Sequence, residues 1–130
     1  MNGIALAIGG CIGALLRYVL GETAGTLPNG FPLGIFIINI IGCFVLGWFF
    51  TVTPGRWRLP PEIRLGFGTG VLGAFTTFST FSVQTVELVR HDHLLVAALY
   101  VGLSIGIGLA FTFAGVRLGQ GRRSGQGGTP

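Results

Sequence analysis

Hydrophobic positions along this chain form neither a helical stripe nor a strand alternation. They merge into four nearly continuous apolar runs, Ile4–Leu20, Phe31–Val52, Leu65–Val89 and Leu94–Val116. Each run is long enough to cross a bilayer as a helix, which takes roughly 20 residues. A soluble helical bundle would keep a polar face on each helix, and none of these segments has one. Arg17 near the end of the first run and Glu87 near the end of the third are the only charges within these limits. The pattern predicts an all-α integral membrane protein, with four transmembrane helices in residues 1–118. The Gly-rich, polar stretch 119–130 reads as a disordered cytoplasmic tail.

The segments between the runs are short and carry turn chemistry. "GETAGTLPNG" ends in Pro28, Asn29 and Gly30, "TPGRWRLPPEIR" has a Pro-Gly turn and a Pro-Pro pair, and "RHDH" is a tight link. Trp48 and Trp57 suit the interfacial belt. His91 and His93 flank Asp92, but two loop imidazoles without further ligands read as solvated rather than metal-binding. No segment is long enough to fold as an aqueous domain, so no enzymatic chemistry is expected. Glycine is abundant, at 24 residues. Gly9 and Gly13, Gly66 and Gly70, and Gly102 and Gly106 stand four apart, with Ser104 and Gly108 extending the last set. That spacing lets helix backbones touch and predicts tight seams.

Composition agrees with a membrane solvent, since 9% of residues are charged against about 25% in soluble domains. The net charge of +4 does not indicate nucleic acid, because the arginines are scattered and there is no lysine. Arg56, Arg58, Arg64, Arg117, Arg122 and Arg123 fall on one side and Arg90 on the other, a bias that puts both termini in the cytoplasm. "MNGIA" lacks the positive charge of a secretory signal, so the first run reads as a retained helix. Cys11 and Cys43 lie in apolar runs, where cysteine behaves as a small hydrophobe, and no disulfide is expected.

Two polar signatures fall near the centres of the second and third runs. Asn39 is one; an amide in hydrocarbon either bonds another helix or lines a cavity, and the sequence leaves both open. The other is "GAFTTFSTFS", where Thr76, Thr77, Ser79, Thr80 and Ser82 surround Phe75, Phe78 and Phe81. Hydroxyls in membrane helices can bond back to the carbonyl four residues earlier, which accounts for one or two of them. Five in seven positions cover every side of a helix. With Gly73 ahead of them, they predict a break in the third helix at mid-membrane, tolerated where backbone is buried or lines a polar path. Phe78 and Phe81, three apart, share a face. They suit core packing, or a passage in which positive ring edges and neutral donors receive a small anion. Apart from Glu87 near a helix end, no carboxylate lies within the runs, which weighs against a proton relay. It also separates the chain from small multidrug-resistance transporters, which depend on a glutamate in the first helix.

"GGCIGALLRY" (Gly9–Tyr18), "NIIGCFVLG" (Asn39–Gly47) and "GVLGAFTTFSTFS" (Gly70–Ser82) resemble the three signature blocks of the Fluc, or CrcB, fluoride channels. The resemblance covers all four runs in order. It implies an antiparallel dimer of four-helix subunits with two narrow fluoride pores. It also implies a structural sodium ion at the dimer centre, held by backbone carbonyls that would be those of Gly73 and Thr76. By the same carry-over Phe78 and Phe81 edge the fluoride path and Asn39 is the pore amide. Ser79, Thr80, Tyr100 and Ser104 join a polar track, and Arg17 is the interfacial arginine of the first block. The chain departs from the family pattern at Ile35 in "GIFIIN", where a hydroxyl is usual. The arginine bias suggests a fixed orientation, and hence an oppositely oriented paralogue as partner; this heterodimer and a dual-topology homodimer both stay open. The expected function is passive export of fluoride across a bacterial plasma membrane, relieving fluoride toxicity. The alternatives are a proton-coupled antiporter of the small multidrug type or for anions, and a non-transporting packing protein.

Overall fold

The computed structural model describes residues 2–54 and 59–121. Gly55, Arg56, Trp57 and Arg58 lie outside the described residues, as do Arg122, Arg123 and the rest of the expected tail. With them go the Pro-Gly turn, the interfacial placement of Trp57 and most of the arginine asymmetry. The described residues contain no strand. The elements are α1 (Asn2–Ala24), α2 (Leu33–Val52), α3 (Pro61–Arg64), a π-helical segment (Leu65–Leu72), α4 (Gly73–Phe75), α5 (Phe78–Arg90) and α6 (Leu94–Gly121). Helices α1, α2 and α6 are long and apolar enough to cross a membrane. α6 runs on to Gly121, so Gly119–Gly121, read from sequence as tail, are helical.

Local chemistry explains where the chain turns. After α1, Gly25 and Gly30 take φ of +58° and +86°, the left-handed region open to glycine. The Gly25 N–H donates to the Gly21 carbonyl at 3.1 Å, and α2 starts directly after Pro32. Between α5 and α6, Asp92 takes φ 58°, a conformation its short polar side chain tolerates. The His91 and His93 N–H groups then close the helix end by donating to the Glu87 and Leu88 carbonyls at 3.0 and 2.9 Å.

Glycine seams set the order of the bundle. A Cβ on Gly9 would strike the Gly66 carbonyl, and one on Gly13 the Val71 carbonyl. One on Gly70 would stand 3.0 Å from the Leu6 carbonyl, so α1 lies parallel to and against the π-helical segment. On the other side of the bundle, Gly47 meets the Thr112 backbone, Gly115 the Phe44 carbonyl and Gly119 the Thr51 side chain at 2.8 Å, giving a parallel α2–α6 seam. A Cβ on Gly34 would stand 2.6 Å from the Gly21 carbonyl, where the end of α1 meets the start of α2. Two of the glycine pairs picked out from sequence thus make one shared seam. The third does not: a Cβ on Gly102 or Gly106 would have nothing within 4 Å among the described residues, and Gly108 is the glycine that turns toward α2, where a Cβ would stand 3.5 Å from the Cys43 sulfur. The spacing of small residues marks a possible close approach but not the face of the helix that uses it.

The π-helical turns coincide with "LGFGTGVL", where alternating glycines weaken α-helical preference. Gly68 lets the Phe50 ring come within 2.7 Å of where a Cβ would be, while Gly66 and Gly70 accept α1. Two apolar clusters form the interior, Ile35 with Ile38 and Phe75, and Leu88 with Ala97 and Tyr100; Phe81 packs against both. The outer faces of α1 and α6 are bare hydrocarbon, with Ile4, Leu15, Leu95 and Leu109 all more than 60% exposed. Faces of that kind belong against lipid or another apolar surface.

Candidate functional site

Within the third run the backbone leaves helical geometry at two residues. Thr76 has φ −76°, ψ 154°, and Thr77 has φ −147°, ψ 126°. Asn39 on α2 brackets this point. Its Oδ1 accepts from the Thr77 N–H at 2.9 Å, and its Nδ2 donates to the Thr77 carbonyl at 3.0 Å. The amide thereby takes both backbone groups of a residue that has left the helix ladder. Gly42, one turn further along α2, makes room, since a Cβ there would collide with the Thr76 methyl.

The same contacts divert two helical donors. In a continuous helix the Thr77 N–H would bond the Gly73 carbonyl and the Thr80 N–H the Thr76 carbonyl. Instead the first goes to Asn39, and the second goes to the Thr77 Oγ1 at 3.2 Å, an N-cap for α5. Gly73 is exposed, with nothing within 4 Å of its missing side chain.

The hydroxyls of the stretch divide into two kinds. Thr76 donates back to the Leu72 carbonyl at 3.1 Å and Ser82 to the Phe78 carbonyl at 2.9 Å, the helix-bending bonds that need no further explanation. The other three form a cluster on Thr77: its Oγ1 donates to the Thr80 Oγ1 at 3.1 Å and lies 3.2 Å from the Ser79 Oγ. Thr77 is buried, Ser79 exposed and Thr80 half-buried.

A cavity of about 310 Å³ opens at this point, lined by Asn39, Thr76, Thr77, Phe78, Phe81 and Ser104 among others, with no charged residue in its described lining. The Phe78 and Phe81 ring centroids are 5.8 Å apart and inclined at 37°. Phe78 is 79% exposed in the single chain. The Ser104 Oγ is buried and has no hydrogen-bond partner. An orphaned hydroxyl beside a cavity is an unused donor at a place where desolvated polar groups are normally satisfied.

A second cavity of about 410 Å³ lies beyond the hydroxyl cluster, and Arg17, Tyr18, Glu22, Thr80 and Gln84 contribute to its wall. Thr77 lines the first cavity and Thr80 the second, so their mutual hydrogen bond links the walls of the two. A third cavity, also about 410 Å³, shares Thr26 and Gln84 with the second and reaches Glu87, His91 and His93. Tyr100 is fully buried, donates to the Gln84 Oε1 at 3.0 Å and stacks at 45° and 5.0 Å on Phe81.

The structure therefore gathers Asn39, Thr76, Phe78, Phe81 and Ser104 around one cavity, and Arg17 and Thr80 around the next. Ser79 joins through the Thr77 hydroxyl and Tyr100 through Gln84. Of the two roles weighed for Asn39, the bond between segments is made, and one Nδ2 hydrogen is left over beside the cavity. Two residues central to this geometry were not singled out from sequence. Thr77 was one hydroxyl among five, and its position as the capping residue needed the break to be located to one residue. Gln84 lies outside the hydroxyl-rich stretch and carries no charge; its one signal in the sequence is that it stands four residues after Thr80, on the same helical face.

The sequence profile of the CrcB-like protein, Camphor Resistance (CrcB), family matches residues 4–116. The fluoride-specific ion channel FluC of Oceanobacillus iheyensis is 49% identical over 117 residues, covering 90% of each chain. Fluoride-specific ion channel FluC 1 of Bacillus cereus is 47% identical over 118 residues, 90% of this chain and 86% of that one. FluC of Rhizobium etli is 36% identical over 119 residues, 91% of this chain and 95% of the other.

Proposed function

The chain belongs to the CrcB family, and on that premise we propose that it is a fluoride-selective channel, passively exporting fluoride across a bacterial plasma membrane and so relieving fluoride toxicity. The observation that carries this reading is the link between cavities described above. The hydroxyl pair Thr77–Thr80 joins the walls of two cavities, and the smaller one is lined by neutral donors and aromatic rings, which supports the reading.

Fluoride is small and strongly hydrated, so a site that passes it must replace water without holding it. Arg17 supplies positive charge in the larger cavity, beside the Glu22 carboxylate, and gives an incoming anion a local attraction there. From that cavity the ion meets Thr80 and Ser79, then the spare Asn39 hydrogen, the Ser104 hydroxyl and the edges of Phe78 and Phe81. Each is a weak donor, and together they replace a hydration shell while leaving the ion free to move on. A cation at the waist would trap it. Tyr100 fixes the Phe81 ring by stacking and by its bond to Gln84.

The reading includes an antiparallel dimer with its third helix broken at mid-membrane, formed with a second copy or with an oppositely oriented paralogue. Support comes from the bare Phe78 ring and from the open space at Gly73, Gly102 and Gly106. A structural sodium ion belongs to the same proposal. The Gly73 and Thr76 carbonyls fit it, because each lacks its usual N–H donor and uncharged oxygen is the ligand a hard cation takes. When bound, the ion would supply positive charge that holds these carbonyl dipoles in place.

Efflux from proteoliposomes loaded with fluoride or with chloride tests the function. Fluoride is expected to leave down its own gradient, unaffected by a proton gradient, while chloride stays. Vesicles that hold fluoride, or that accumulate it against its gradient when a proton gradient is imposed, would overturn the proposal.

A further inference from the structure

We propose that Arg64 anchors a binding site for the phosphate of a membrane phospholipid headgroup. Arg64 closes α3 directly before Leu65, where the third apolar run begins. Its Nε is buried and has no hydrogen-bond partner among the described residues. A guanidinium is charged at every physiological pH and carries five donors in a planar fork. Removing part of it from water without a counter-ion is unfavourable unless an anion arrives to satisfy it.

The site for that anion is present. A cavity of about 270 Å³ is lined by Arg64, Thr69, Phe50, Pro61 and Leu65, with no carboxylate in its described lining. Arg64 and the exposed Thr69 hydroxyl supply donors from one chain segment, and a planar fork beside a hydroxyl suits the oxygens of a phosphate. Phe50 on α2, with Pro61 and Leu65, gives apolar walls. A hydrated inorganic ion gains nothing from those walls, whereas glycerol and the first acyl carbons of a lipid do. The location is right for a lipid, because the junction of a polar connection with an apolar run is where headgroups lie, and basic pockets between helices there take anionic heads. The inference rests on the chain being a membrane protein and is independent of what it conducts.

Native mass spectrometry of the full-length protein in mild detergent tests it, with phosphatidylglycerol and a diacylglycerol of the same tails as probes. Wild type is expected to retain phosphatidylglycerol and to lose diacylglycerol. Arg64→Gln should lower the retained fraction about fivefold, the effect of one basic residue at an anionic surface, with Arg64→Lys recovering part of it. Thr69→Val, at an exposed position, should lower retention about twofold to threefold through one lost hydrogen bond and keeps the test open if Arg64→Gln does not fold. Equal retention in Arg64→Gln, or unchanged retention in Thr69→Val, would overturn the proposal. So would diacylglycerol bound as well as the phospholipid. Millimolar inorganic phosphate that occupies the site in place of lipid would overturn the lipid assignment, and failure of phosphate to displace the lipid supports it.

Discussion

Replacing Asn39 with leucine keeps the branched skeleton of the side chain and removes both hydrogen bonds to Thr77, at 2.9 and 3.0 Å. Thr77 is 8% exposed, so its N–H and carbonyl would be left with little water. A buried backbone group stripped of its partner loses about 1–3 kcal/mol. The N–H has a fallback in the Gly73 carbonyl four residues back, which restores one bond if the chain straightens. The carbonyl, as the N-cap of α5, can take the Phe81 N–H of the helix ladder, so it loses the second of two donors rather than all of them. The net expectation is a local loss of about 2 kcal/mol at the break, about a thirtyfold change in an opening equilibrium. Hydrogen exchange at the Thr77 amide in lipid nanodiscs should accelerate by about that factor while amides in the middle of α6 stay protected. Fluoride efflux should fall sharply in the same preparation, because the rings and hydroxyls are positioned by this turn. Asn39→Asp is the finer probe: it can still accept from the Thr77 N–H but sets a second oxygen against the Thr77 carbonyl, so exchange should lie at or beyond the leucine value. Unchanged exchange at Thr77 in Asn39→Leu would refute the view that the amide holds the break.

Other substitutions separate packing from passage. Gly42→Ala should destabilise by about 1–3 kcal/mol, because its methyl meets that of Thr76; adding Thr76→Ser, which removes the opposing methyl, should restore thermal stability, and an additive double mutant would contradict the contact. Gly9→Ala should lower the detergent melting temperature markedly, since the added carbon meets Gly66 backbone that cannot retreat; Gly102→Ala, with open space around it, should leave the fold of the subunit intact or slightly firmer, near the 1 kcal/mol helix preference of alanine. Phe78→Ile should abolish most fluoride efflux with little change in melting, whereas Phe81→Ile should reduce both, because Phe81 packs against both apolar clusters; normal efflux in both variants would reject the ring-edge role.

How far the sequence carries depends on which physical constraint is local. The apolar runs are local, and α1, α2 and α6 follow them because a chain with so few charges has only helix–helix contact and lipid to choose from. The polar centre was legible for the same reason: five hydroxyls and an asparagine cannot all be placed cheaply in hydrocarbon. What the sequence could not supply was pairing. That Asn39 spends its amide on Thr77, and that Gln84 meets Tyr100, are facts about residues far apart in the chain, where no spacing rule applies. The glycine pairs show the same limit. Gly9 and Gly66 carry the same signal as Gly102, yet the first two interlock and the last faces outward, because the signal concerns size and not direction.

Phe81 touches both apolar clusters while forming a wall of the cavity. On the proposed function, throughput and durability are therefore written in the same atoms. A variant that enlarges the opening by trimming this ring also loosens the bundle around it. On the proposed function, adjustments in permeation that spare the scaffold fall to residues such as Phe78, whose ring is mostly exposed within the subunit.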